Sequence, residues 1–490
     1  MKKNKYRQGD CKTLLVREDV LVDYKIHQNV VNNNLKGVKK DYGMFFTPEL
    51  VVDFMVNLIS VPQYLSKKEI SILEPACGLA QFLVGLKRNH PALFNQSKLF
   101  GVEINQDVIN YLTDLNINSE VKLIRNDYLL WQPEISFDLV IGNPPYGIPS
   151  SSEHYPIKID SKTKEKYKNL YETWYGKYNV YGAFIEKSIK LLKEGGQLIF
   201  IVPPTFMILD EFKKLRAFLS KSGGTALIYM GPDVFKPEAD VSSVVINFIK
   251  SDNYAFRLEL LEYQDNNIKT IKVNPHWHGE VVKFETEYTH HIENICSYRL
   301  GDVYDIRISP RTPEIKNAPY ITKDRPIHSD NYLPLLNGRN LKCNEIIYEN
   351  LTGYWIKKSD AKRLRQYFRV PHIVVGHGFR ENGKVGAALD NKCYPWMGDV
   401  YHLLPKNDLF AANFDLSNSE ILEYLDSDYV KKYIKDTYRE ITYHLSINQL
   451  NNLPLPTQKE WKKIKSIYEP FGQIDLPVNE HNVVLQDLGY

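Results

Sequence analysis

The sequence predicts an α/β protein: a largely parallel, Rossmann-like sheet covered by helices on both faces, followed by a second domain of mixed α/β character. Three observations carry this. Short, nearly continuous apolar runs alternate with helical stretches up to about residue 250, the pattern of strands buried on both faces. The first four runs each lead into small, acidic or amide residues, at the strand ends where open α/β sheets bind ligands. Beyond residue 250 the alternation gives way to turns, loops and aromatics. With 490 residues the chain exceeds what one core supports. The expected division is an N-terminal arm over 1–40, a first domain over 41–250 and a second over 251–490.

The arm is polar and contains Asn32-Asn33-Asn34; it reads as loosely ordered. From Phe45 the pattern changes. Thr47-Pro48 reads as a cap followed by proline at the first helical position, opening a helix that runs to Ile59. Strands are expected at 70–73, 99–102, 121–124, 137–141, 197–202, 226–230 and 244–249, with Gly195-Gly196 ending the helix before the fifth. No long helix separates the last two, so an antiparallel hairpin is expected to close the sheet.

Composition narrows the class. The chain is 43% hydrophobic and 25% charged, as soluble globular proteins are. A net charge of +3 neither marks nor excludes a nucleic-acid partner, because clustering matters more than the total. Thirty-three tyrosines offer faces for stacking on bases, although most belong to ordinary packing. Cys11, Cys77, Cys296, Cys343 and Cys393 are odd in number, dispersed and free of any CxxC pair. Neither a disulfide framework nor a metal site is expected, and a reducing bacterial cytoplasm fits. The basic start at Met1 is followed by no apolar run, so no secretory signal is expected. Nothing approaches the ~20 apolar residues of a membrane span.

The strand ends carry the chemistry. After the first comes Glu74-Pro75-Ala76-Cys77-Gly78: small residues allow close approach of a ligand, and Glu74 suits a cationic group such as an amino-acid ammonium. Cys77 reads as a small loop residue. The second strand ends at Glu103-Ile104, where a carboxylate can accept ribose hydroxyls. The third gives Asp127-Tyr128, a carboxylate for an adenine amine with a ring beside the base. Each acid alone is more often a solvated surface group; three at successive strand ends form a constellation. The fourth strand runs into Asn143-Pro144-Pro145-Tyr146. The prolines fix the backbone, so the Pro144 carbonyl is rigidly aimed; Asn143 adds an amide oxygen and Tyr146 a flat face. Two acceptors and a ring are what an exocyclic amine on a flat substrate requires.

In the order of these motifs the chain resembles the gamma class of DNA adenine methyltransferases, in particular the Taq-type enzymes. The likeness runs from Phe46-Thr47-Pro48 through the Glu74 and Asn143 motifs, Asn179-Val180-Tyr181-Gly182-Ala183-Phe184 and the strand ending at Phe248. It continues in His276-Trp277-His278, Gly338-Arg339-Asn340 and Tyr394-Pro395-Trp396. It implies a Rossmann-like S-adenosylmethionine-dependent methyltransferase sheet and a C-terminal domain that recognises double-stranded DNA. Thr47, Glu74, Ala76, Glu103, Ile104, Asp127, Tyr128 and Phe184 would line the S-adenosylmethionine site. Asn143 and Pro144 would hold the target amine, with Tyr146 and Phe248 on the two faces of a flipped adenine. The chain departs from the family in its N-terminal extension and in Tyr443, which stands where Taq-type enzymes carry a proline facing the space left by the extruded base. The resemblance implies a modification enzyme of a type II restriction–modification system, acting as a monomer on a short palindrome with a TCGA core. No convincing nuclease motif occurs in the extension. The same Asn-Pro-Pro-Tyr motif serves enzymes that methylate a release-factor glutamine or an rRNA guanine, and a degenerate DNA-binding subunit is the non-enzymatic alternative. In the second domain the basic island 357–365 reads either as a solvated helix face or as a phosphate contact.

Overall fold

The computed structural model describes residues 47–468, apart from 152–156, 237–240, 324–328 and positions 265, 343, 381, 399, 440 and 443. The arm expected over 1–40 and Tyr443 lie outside the described residues. Two compact units divide between Val281 and Val282.

The first unit is built on a nine-stranded sheet. Its strands are β1 (Ile70–Pro75), β2 (Ser97–Glu103), β3 (Val121–Arg125), β4 (Phe137–Gly142), β5 (Leu192–Val202), β6 (Gly223–Gly231), β7 (Ser243–Lys250), β8 (Leu258–Gln264) and β9 (Asn267–Asn274). Across the sheet they run β3-β2-β1-β4-β5-β7-β6-β8-β9. β1 to β5 are mutually parallel, so their C-terminal ends share one edge. All seven expected strands form, because apolar runs such as Leu198 to Val202 are buried on both faces.

Two expectations are corrected. β7 is antiparallel to both β5 and β6 and lies between them, so the β6–β7 hairpin does not close the sheet. β8 adds parallel to β6, and β9 adds antiparallel to β8. The boundary expected at residue 250 therefore falls inside the sheet. The β8–β9 hairpin escaped notice because its outer strand is mostly exposed and carries no apolar run.

Helices α1 (Glu49–Asn57), α2 (Gln81–Asn89), α3 (Gln106–Asp114), α4 (Ser161–Leu170), α5 (Val180–Leu191) and α6 (Lys213–Ser222) accompany the sheet. α2 packs against α1 at Gly85, where an added Cβ would stand 2.5 Å from Val52 Cγ1. α1 begins at Glu49 with Pro48 at the cap and no side-chain cap bond. The capping role expected of Thr47 is not taken up; its hydroxyl is engaged elsewhere, as described below. α3 and α4 are capped by Asn105 and Asp160, whose side chains accept backbone N–H groups of the first turn.

At the N-terminal edge of the sheet Asp138 is buried. Its carboxylate accepts from Lys67 Nζ at 2.8 Å, Lys193 Nζ at 2.7 Å and the Ser71 N–H at 3.0 Å. Burial raises the carboxyl pKa, but the bonds from Lys193 and Lys67 outweigh it and hold the group below the usual range.

The second unit holds a four-stranded antiparallel sheet ordered Tyr304–Ile308, Val400–Pro405, His372–Phe379, Val385–Asp390. A three-stranded sheet has Tyr354–Lys357 between Ile321–Lys323 and Tyr332–Pro334. Helices Glu287–Ile295, Asn418–Leu425, Asp428–Tyr438 and Gln458–Tyr468 complete it. A fully buried Asp390 organises the turn after its strand, accepting from the Tyr348 hydroxyl, Trp396 Nε1 and the Tyr394 and Lys392 amides. The basic island is not a helix: it is a strand end and a single 3-10 turn, anchored by buried Ala361 and Leu364 with its five cations exposed. No helix among the described residues is long and apolar enough to cross a membrane.

Asp138→Ala should leave a buried amide without its acceptor and two lysines without their counter-ion. Urea unfolding should show a loss of about 1–3 kcal/mol; an unchanged midpoint would mean the cluster contributes nothing to the fold.

Candidate active site

The parallel strands deliver their terminal residues to one cleft. It is lined by Thr47, Glu74, Ala76, Glu103, Ile104, Asp127, Tyr128 and Phe184, and by Asn143, Pro144 and Pro145. All eight residues expected around a cofactor are thus brought together with both of those expected to hold the target amine.

The turn after β1 shapes the floor. Ala76, Gly78 and Ala80 have φ of 51°, 50° and 55°, a left-handed conformation that favours glycine and is adopted here by two alanines. The Cys77 N–H donates to the Val102 carbonyl at 2.9 Å, tying the turn to β2. Cys77 Sγ packs 3.0 Å from where a Cβ on Gly101 would stand, as befits a small loop residue.

The carboxylates differ in what they already bind. Glu74 is buried and accepts the Phe82 and Leu83 N–H groups of α2 at 3.3 and 3.1 Å. Burial pushes its carboxyl up to about 8, against the lowering effect of those two amides. Glu103 accepts three amides: Gly78 at 3.0 Å on one oxygen, Ile104 and Asn105 at 2.9 Å on the other. A carboxylate offers roughly four acceptor positions, so Glu103 keeps about one for a ligand hydroxyl rather than the pair expected. Its pKa too is raised by burial. Asp127 accepts the Leu129 N–H at 2.9 Å and the Tyr167 hydroxyl at 2.7 Å. Tyr128 is buried with its hydroxyl 2.9 Å from Ser188 Oγ and its ring 4.9 Å from that of Phe184. Ile104 stands 47% exposed, an apolar side chain open to solvent at the cleft.

At the end of β4, Asn143 Nδ2 donates to Thr47 Oγ1 at 3.0 Å. The bond engages the nitrogen, so the acceptor end of the amide is Oδ1, which is buried. It also joins the segment before α1 to the motif after β4, a contact between residues 96 apart.

The two aromatic candidates fare differently. Tyr146 does not line the cleft. It is buried, donates to the Ile201 carbonyl at 2.9 Å, and meets Tyr181 and Phe235 edge-on with centroids 6.3 Å away. Phe248 is corrected. β7 runs antiparallel, so Phe248 pairs with Leu198 in the middle of β5 and with Thr225 near the start of β6. Phe248 therefore lies inside the sheet, level with Val140 of β4 and short of Asn143, and is 0% exposed. Between β6 and β7, Phe235, four residues beyond β6, does reach Tyr146. Sequence reading missed it by taking the aromatic inside β7 instead of the one before it; the β6–β7 connection without a helix was the available signal that the strand reverses.

With this geometry in hand, the chain can be set beside known proteins. Residues 63–235 match the Eco57I restriction-modification methylase family, and residues 333–455 match the TaqI-like C-terminal specificity domain. The type II methyltransferase M.TthHB8I of Thermus thermophilus is 38% identical over 417 residues, covering 85% of this chain and 91% of the relative. The chain belongs to the TaqI-like type II restriction–modification methyltransferases. The modification methylase CviBIII of Paramecium bursaria Chlorella virus NC1A is a further relative of this type, 30% identical over 185 residues, or 38% of this chain and 44% of that one. Among solved structures, the DrdV–DNA complex shares the fold with a TM-score of 0.52 at 14% identity, covering 92% of this chain and 54% of that one. The methylase match spans the strands that end in Glu74, Glu103, Asp127 and Asn143, and the specificity match falls within the second unit.

A carboxyl whose pKa rises from 4.5 to about 8 on folding binds more proton when folded than when unfolded between those values. The ligand-free fold therefore loses stability as pH climbs through that window. Glu74→Gln should flatten the fall in melting temperature between about pH 5 and 8; an identical slope in both proteins would assign it to other groups.

Proposed function

We propose that the protein is an S-adenosylmethionine-dependent DNA methyltransferase that modifies the exocyclic amine of adenine. One observation carries the reading: Asn143 and Pro144 line the same cleft as the three acids of the parallel strand ends. The cleft's chemistry fits the cofactor. Buried Glu74 suits an ammonium, Glu103 retains room for a ribose hydroxyl, and Asp127 stands beside the Tyr128 and Phe184 rings for an adenine. S-adenosylmethionine, when bound, supplies a methyl group on a sulfonium, a good leaving group.

The chain's own part is positioning. An adenine amine is a weak nucleophile because its lone pair is delocalised into the ring. Asn143 Oδ1 and the Pro144 carbonyl accept its two hydrogens, which localises the lone pair and aims it. Thr47 holds the Asn143 nitrogen. No base is required before attack, since the proton can leave afterwards. In duplex DNA the target must be flipped out at a few kcal/mol. Stacking against Tyr146 and Phe235, at roughly 1–3 kcal/mol per base, offsets this. The TaqI-like specificity domain over 333–455 supports DNA over a protein glutamine or rRNA guanine as substrate, and a duplex with a TCGA core is the first substrate to try.

Asn143→Ala should lower single-turnover methyl transfer by about 10²–10³-fold while binding of S-adenosylhomocysteine survives. The label should appear in N6-methyladenine of duplex DNA and not in release factor; near-normal turnover would reject Asn143 as the amine acceptor.

Phe235→Ala should abolish the fluorescence rise of 2-aminopurine placed at the target position. Phe248→Ala should instead lower stability, by about 3–5 kcal/mol for a buried ring, and keep the fluorescence rise in the folded fraction. Loss of the rise in Phe248→Ala alone would restore Phe248 as the stacking residue.

A further inference from the structure

We propose that Tyr167 is a positioning residue for the cofactor: its hydroxyl sets the plane of the Asp127 carboxylate so that the carboxylate selects an amino group at the purine 6-position. The proposal rests on the S-adenosylmethionine reading above.

Asp127 sits in the turn after β3. One oxygen accepts the Leu129 N–H at 2.9 Å, within its own turn. That bond alone would leave the carboxylate free to swing about its last torsion, which is broad for an aspartate. The second oxygen accepts the Tyr167 hydroxyl at 2.7 Å, from 40 residues away on α4. Donors on both oxygens fix the carboxylate plane. They use two of roughly four acceptor positions and leave the remainder in defined directions. Tyr167 is buried and itself lines the cleft beside Asp127 and Tyr128. Burial first, and then the Asp127 charge, push its phenol far above the usual range, so it remains a donor at any working pH.

The phenol is held rigidly. One helical turn on, the Tyr171 hydroxyl donates to the Leu129 carbonyl at 2.5 Å, tying α4 to the same turn. Beyond it, Glu186 of α5 accepts the Glu172 and Thr173 amides at 3.2 and 2.9 Å. Asp160 caps the start of α4. The segment between the Asn143 motif and α5 thus supplies a group that aims a carboxylate of the cofactor wall, although no strand-end pattern marks it.

The test compares S-adenosylhomocysteine with its inosine counterpart, in which the 6-amino donor becomes a carbonyl acceptor facing the carboxylate. Wild-type protein should bind the adenosine compound tighter by roughly tenfold or more, the effect of a hydrogen bond to a charged group. Tyr167→Phe should collapse this ratio to near unity by weakening the adenosine compound alone. Tyr171→Phe, which removes a tie of α4 without touching Asp127, should keep the ratio. Thermal melts of the ligand-free variants report folding separately. A ratio retained in Tyr167→Phe overturns the proposal while the adenine placement stands. Equal losses in both variants overturn it in favour of general packing of α4. A wild-type ratio near unity rejects the placement of adenine at Asp127 and the proposal with it.

Discussion

The parallel register of β4, β1, β2 and β3 is the constraint on which the cleft depends. Glu74 lies opposite Gly101, Val102 opposite Ile124, and Leu73 opposite Val140. Because these strands run the same way and stop near the same line, residues far apart in sequence meet at one edge. Parallel strands need helical crossovers, and the crossovers cover both faces. The strand interiors are therefore apolar, and chemistry is confined to the ends. A slip of one residue in any strand would turn its terminal acid toward the opposite face.

That confinement has an electrostatic consequence. Glu74 and Glu103 are carboxylates in a buried setting, and both have raised pKa values. They are tolerated because main-chain amides of the adjoining turns and helix α2 point at them. The amides that relieve the desolvation also hold each carboxylate in one orientation. Asp127 differs: its second partner is a side chain from a later segment. Asn143 differs likewise, its nitrogen held by Thr47 from the segment before α1. The cleft is therefore organised partly by its own turns and partly by elements that arrive from elsewhere in the fold.

Much of this was legible in the sequence. The seven apolar runs became seven strands because near-continuous hydrophobicity over four to six residues, broken by helical spacing, has few other solutions. The acids were legible because each stands at or just beyond the end of a strand. The hairpin β8–β9 was not, since exposed β9 residues such as Lys269 and Lys272 carry no apolar signal. The cap at Thr47 was misassigned because a hydroxyl beside Pro48 is a local signal, whereas its partner Asn143 is a tertiary one.

The sequence by itself determined seven of the nine strands, the residues at the ends of the first four and the family, because these follow from local apolar patterning and contiguous motifs. Only the tertiary structure decided which aromatic meets Tyr146. The direction of a strand inserted into a sheet is a property of its neighbours and not of its residues, and the antiparallel β7 carries Phe248 into the sheet interior while Phe235 stays near the motif. It likewise decided that Tyr167 addresses Asp127, since the docking of α4 on the turn after β3 rests on contacts forty residues apart in the chain.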